Sequence, residues 1–385
     1  MAFSPLDSGL TGPFFADEAV AAVFSDRARL ARYLRVEAAL AKAQGNRDLA
    51  EALAKIAPNA FDVAAIGEAT ANTAVPSIPF LDALRAKLPA DLAARLHFGA
   101  TTQDLIDTET ALALREADAL IRRDWAKALD GFAGLATRHR DVPMIGRTYN
   151  KRAAPITFGH KAAQWGLVMA EALDALPAPV FRAVLGGAVG TLAAMGEAGP
   201  AIARRFAEEL GLEHVEPPAH QSRAAFVAIG LGHAMAIGAA AKIATDILFL
   251  QADEVGEVAE PSAPGRGGSS AMPHKRNPVG CTAILAGHMA ASGHAATLIQ
   301  AMVGGLERPA GAWHAEWLAL GPLVGLASGA ARELAALAAG LRVFPERMRA
   351  HLDDAGEIGR QPDGAARWID PALARIFATL QRLAP

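Results

Sequence analysis

The run from Leu105 to Arg140, LIDTETALALREADALIRRDWAKALDGFAGLATRHR, repeats apolar residues at three- and four-residue steps. That period is the signature of one face of an α-helix, here sustained for about ten turns. AAFVAIGLGHAMAIGAAAKIATDILFLQADE (224–254) and the shorter DLAEALAKIA (48–57) follow the same rule. Alternating β-branched runs are scarce and aromatic residues are only 6%. Helices of this length pack side by side, so the predicted fold is all-α, a long-helix bundle.

Proline- and glycine-rich punctuation divides the 385 residues into three units. An N-terminal helical domain is expected over 1–98, a central long-helix bundle over 99–340 and a short C-terminal helical domain over 341–385. Pro278 to Leu306 carries no formally charged residue and could span a bilayer by length. Its Thr282, His288, Ser292, His294 and Gln300 would be costly in lipid. The expectation is instead a helix buried on all sides of a bundle, hence an oligomer, with no membrane partner. A net charge of −3 gives no whole-chain bias towards nucleic acid. Cys281 is the only cysteine, which excludes an intramolecular disulfide and a cysteine-based zinc cluster. No signal peptide is read at the N-terminus, and a reducing cytoplasm is expected.

Three loops carry chemistry beyond that of turns. In FGATTQDLIDT (98–108), Thr101, Thr102 and Gln103 stand where a helix begins, so their side chains and free N–H groups suit either an N-cap or an anion. GRTYNKRAAP (146–155) gathers Arg147, Lys151 and Arg152 around Thr148 and Tyr149, a pattern of either a solvated face or a polyanion site. GRGGSSAMPHKRNP (265–278) combines the φ freedom of Gly265, Gly267 and Gly268 with Ser269, Ser270, Met272, Lys275, Arg276 and Asn277. It lacks the spacing of a phosphate-binding P-loop and reads as a lid over an electropositive pocket. Among the histidines, His220 is a site candidate, together with Arg223 in PPAHQSR. His97, His160, His233, His288, His294 and His314 lie in helical patterns that fit core or interface positions, without a metal-binding context.

GSSAMPHKRNP (268–278), with FGATTQD and GRTYNKRAAP in order before it, resembles the signature regions of the fumarase/aspartase superfamily over nearly the whole chain. GATTQDLIDT, ERPAGAWHAEW (307–317) and FPERMRAHLDDAG (344–356) are most similar to its bacterial cycloisomerase branch, whose members lactonise a tricarboxylic muconate. The resemblance implies three helical domains and a homotetramer whose active sites draw segments from different subunits. It implies a small tricarboxylate substrate, and neither metal nor organic cofactor. Carried over by position, Ser269 is the base, Lys275 and Asn277 bind substrate, and Thr101 and Thr102 hold a carboxylate.

Three features depart from the superfamily pattern. Tyr149 stands where many members have a histidine that assists the leaving group; a carboxylate, already a stable anion, leaves without such an acid. Lys151 and Arg152 replace uncharged or histidine residues and could meet a third carboxylate. The C-terminal part is tens of residues short, and EIGRQPDGAARWIDPALARIF (357–377) reads as spanning an internal deletion. The alternatives are another lyase of the superfamily, such as one acting on adenylosuccinate, and a non-catalytic helical oligomer.

Overall fold

A computed structural model describes residues 3–218, 220–360 and 364–383; Gln361 to Asp363, inside the stretch read as a deletion, lie outside it. The elements that position the site begin with α1 (Asp26–Ala43) and α2 (Thr102–Arg138). They continue with strands β1 (Pro143–Thr148) and β2 (Lys151–Thr157), then α3 (Phe158–Asp174), α4 (Ala224–Leu250) and the short strand β3 (Val258–Ala259). After them come α5 (Val279–Ala301), α6 (Ala312–Gly340), β4 (Arg342–Val343), α7 (Pro345–Asp353) and α8 (Ile369–Leu383).

Helices α2 to α6 pack into one five-helix bundle. Side-chain contacts fix their directions. Trp313, at the start of α6, donates from Nε1 to Asp107 Oδ1 at the start of α2 over 2.9 Å. Arg223, at the start of α4, donates to the same Asp107 carboxylate. At the opposite end, Gly131 of α2 passes Ala338 of α6 so closely that a Cβ on the glycine would stand 2.7 Å from the alanine Cβ. Helices α2, α4 and α6 therefore run one way. Helix α3 returns from the far end until Pro177 O accepts from Arg122 Nη2 at 2.6 Å, and α5 returns between α4 and α6. At 1.5 Å per residue, the 37 residues of α2 hold the two ends about 55 Å apart.

Large side chains fill the middle of the bundle. Trp165 meets Phe132 and Phe158 edge-on, with ring centroids 6.0 and 5.8 Å away. Helix α8 packs on α2 and α3. Its Ile376 occupies the space above Gly166, where a Cβ would come within 2.4 Å of Ile376 Cδ1. The C-terminal region thus completes the core of the central bundle.

The charge-free helix, expected to be buried within an oligomer, is covered on one side by its own chain: α5 buries Cys281, Ile284, Ala291 and Leu298 but leaves Met289 73% exposed, with Ile299 and, beyond the helix end, Val303 and Leu306 also open. Its neighbours within the chain, α4 and α6, cover one side of the rod only. The break at GRTYNKRAAP is an antiparallel hairpin, β1 on β2, with Thr148 opposite Lys151. Tyr149 and Asn150 both take positive φ, 49° and 59°, as a two-residue type I′ turn demands. Helices α4 and α6 are long and apolar enough to cross a membrane, but each lies largely inside the bundle.

Because Ile376 has no space to collapse into, truncating it leaves a cavity. Ile376→Ala should lower stability by about 2–5 kcal/mol in urea unfolding, with helical content unchanged at low denaturant.

Candidate active site

The threonine segment opens α2 at one end of the bundle. Thr101 is the N-cap, and its amide donates to Asp104 Oδ2 at 2.9 Å, as the third helical residue of a capping box accepts. Thr101 and Thr102 stay partly exposed, whereas Gln103 is wholly buried. Asp104 also accepts from the amides of Gly186 and Gly187, at 2.8 and 3.0 Å, and pairs with His220 Nε2 at 2.6 Å. A carboxylate surrounded by so many donors fixes the threonines against the 184–192 loop.

One turn further on, Asp107 anchors a second layer. It accepts twice from Arg223, at 2.5 and 3.1 Å, and once each from Trp313 and Gln103. The other edge of the Arg223 guanidinium donates to Glu316, at 2.8 and 2.6 Å. Burial disfavours the Arg223 charge, but Asp107 and Glu316 outweigh it and hold its pKa above the ordinary arginine value. Arg308 donates from Nε to Gln103 Oε1 at 3.2 Å and from Nη2 to Ala188 O at 3.3 Å, while remaining exposed. Beside this layer, His97 Nδ1 meets Glu37 Oε1 of α1 at 2.7 Å. Burial pushes the His97 pKa down, but the Glu37 carboxylate prevails and the net direction is up.

The hairpin and the lid both sit at the opposite end. Tyr149, at the hairpin tip, is 100% exposed, and Thr148 and Lys151 are exposed beside it. Arg147 donates to both oxygens of the fully buried Glu257, at 2.9 and 2.7 Å, while Arg152 is held by Asp354 of the α7 C-cap at 2.7 Å. In the lid, the Met272 amide donates to Ser269 Oγ at 3.1 Å, and the Lys275 amide closes back on Met272 O at 3.0 Å. Ser270, Met272, Lys275 and Asn277 are exposed. Asn277 clasps the lid base, its amide donating to Gly267 O at 2.7 Å and its Nδ2 to Gly268 O at 3.3 Å.

The structure therefore redistributes the expected site residues. It brings Thr101, Thr102, Gln103, His220 and Arg223 together at one end, and places both the hairpin (147–152) and the lid (269–277) at the other. Gln103, His220 and Arg223 are buried and bonded to partners within the chain, and they do not face solvent. Arg147 is likewise engaged by Glu257. The sequence reading passed over Arg308, although ERPAGAWHAEW contains it. That motif supplies Arg308, Trp313 and Glu316 to the threonine end.

Known proteins resemble this chain over most of its length. A family model described as Lyase matches residues 16–293. A 3-carboxy-cis,cis-muconate cycloisomerase of Bradyrhizobium diazoefficiens is 40% identical over 359 residues, covering 90% of this chain and 79% of that protein. A nitrosuccinate lyase of Streptomyces davaonensis is 41% identical over 370 residues, 91% of this chain and 78% of that protein. The crystal structure of the 3-carboxy-cis,cis-muconate lactonizing enzyme from Pseudomonas putida superposes with a TM-score of 0.83 at 34% identity, over 97% of this chain and 88% of that one.

If Arg223 is a buried strut, removing one of its carboxylates leaves a partly uncompensated charge. Asp107→Ala should cost about 3–5 kcal/mol of stability, measured by denaturant unfolding.

Proposed function

The chain belongs to the lyase family of the fumarase/aspartase superfamily, and from that premise we propose that it interconverts 3-carboxy-cis,cis-muconate and 4-carboxymuconolactone. The observation that carries this reading is the hairpin tip. Thr148, Tyr149 and Asn150 offer no histidine or carboxyl acid, which suits a leaving group that is itself a carboxylate.

In lactonisation, one substrate carboxylate attacks the conjugated double bond. A C–O bond forms, the π bond breaks, and its electron pair moves onto the carboxylate at the far end, giving an enediolate. Ser269 then delivers its proton to the carbon next to that carboxylate, so the trianionic substrate takes up one proton overall. In the reverse direction the Ser269 oxyanion removes the same proton. The Met272 N–H already aimed at Ser269 Oγ stabilises that oxyanion, as hydrogen bonds to a charged form do. Lys275 and Asn277 meet the developing negative charge, while Thr101, Thr102 and the neighbouring Arg308 hold a carboxylate. Lys151 supplies a further cation beside Tyr149.

Because the threonines lie a bundle length from the lid and hairpin, one chain does not close such a site alone. We read the assembly as a homotetramer with sites shared between subunits, joined through the open charge-free face of α5 and working in the cytoplasm. The relative that acts on nitrosuccinate favours a second reading, elimination of nitrite, also a weak base that needs no acid at Tyr149.

Mixing the purified protein with 3-carboxy-cis,cis-muconate or with nitrosuccinate, and following ultraviolet absorbance, separates the two. Turnover of the muconate is expected, with Ser269→Ala slowed by about a hundredfold or more. Turnover of nitrosuccinate alone would overturn the cycloisomerase reading, and normal turnover by Ser269→Ala would remove the serine from the mechanism.

A further inference from the structure

Four consecutive residues, Glu257 to Glu260, connect the hairpin to the lid. Glu257 is wholly buried, and its carboxylate accepts both Arg147 bonds and contacts His351 Nδ1 of α7 at 2.8 Å. Its backbone is pinned too: its amide donates to Leu250 O at the end of α4 over 2.8 Å, and its carbonyl accepts from Phe344 N over 3.0 Å. Val258 and Ala259 then pair with Val343 and Arg342 as β3 on β4. Glu260, at the end of this strand, caps α5: its two oxygens accept from Gly280 N and Cys281 N, each at 2.9 Å. The lid thus re-enters the bundle on Glu260. Where the lid leaves, Arg266 reaches Glu333 at 2.6 Å and stands 3.9 Å from Glu260.

These contacts make a short extended strut with a carboxylate at each end. One carboxylate holds Arg147, beside the turn of the hairpin. The other holds the helix start to which the lid returns, with the lid's departure point beside it. Between the anchors, residues 267–277 are held by the Asn277 clasp at their base and by the turn around Ser269. The strand pairing with β4 and the bonds to α4 and α7 leave the strut little freedom to bend, so its two carboxylates keep a fixed separation.

We propose that Glu257 and Glu260 are positioning residues acting as one unit, through which the hairpin controls the placing of Ser269. Glu257 touches no residue of the lid in the contacts described above, yet it governs the lid's order through the strand. This rests on the reading of 265–278 as a lid that closes over substrate.

Limited trypsin digestion of the full chain tests the strut without relying on any substrate. Lys275 and Arg276 are exposed on the lid, and their bonds report its opening. Glu257→Gln should speed cleavage there by roughly tenfold relative to cleavage elsewhere, the population shift that loss of one charge-assisted clasp allows. Arg147→Gln breaks the same clasp from its outer side and should do the same, which decides the matter if Glu257→Gln fails to fold. A general loss of stability would raise cleavage throughout the chain and leave that ratio unchanged. Lid cleavage within about twofold of wild type in both variants would overturn the strut while leaving the lid reading intact. A wild-type chain cut no faster at the lid than elsewhere would overturn the lid and the strut together.

Discussion

A helix of 37 residues sets the terms for everything else in this molecule. Its ends lie about 55 Å apart, with the threonine pair at one and the hairpin beyond the other, and no rearrangement of loops within one chain closes a distance of that order. Helices α4 and α6 run parallel to it, so each adds its start to the threonine end and its finish to the other. The residues with chemistry are consequently sorted into two half-sites on a rigid rod. What one chain keeps apart, antiparallel neighbours can bring together, and α5 offers an open, uncharged face on which such rods could meet.

Each half-site is stiffened by buried charge. At the threonine end, Asp104 and Asp107 gather His220, Arg223, Gln103 and Trp313 around the first two turns of α2. At the other end, Glu257 does the same for Arg147 and His351. Buried ion pairs of this kind add little net stability, because desolvation offsets much of their attraction. They specify one arrangement instead, since any misplacement leaves a charge unpaired in a low-dielectric interior. Residues open to solvent in whole or part, such as Thr102, Tyr149, Ser269 and Lys275, can therefore be presented at defined positions.

The parts of this design differ in how they show in the sequence. Long helices and the lid are local: a three- and four-residue period marks the first, and clustered glycines beside SSAMPHKRNP mark the second. The assignments that changed depend on distant partners. Arg147 and Arg223 looked like anion-binding groups because their carboxylates, Glu257, Asp107 and Glu316, are supplied by other elements of the fold. Arg308 was missed for the converse reason, since only folding sets it beside Gln103. The hairpin was hidden because β1 and β2 have few β-branched residues; its one local sign was Asn150, which tolerates the left-handed turn. An uncharged sequence marks α5 for cover but does not say how much of that cover comes from the same chain.

The central claim is that two half-sites from different chains make one working site. Subunit mixing tests it most directly, using Ser269→Ala and a Thr101→Ala/Thr102→Ala double variant, each expected to be inactive alone in the muconate assay. After the two are unfolded together and refolded, the account predicts that activity returns, because some assembled sites receive intact threonines from one chain and an intact lid from another. Recovery no greater than that of the separately refolded variants would contradict it.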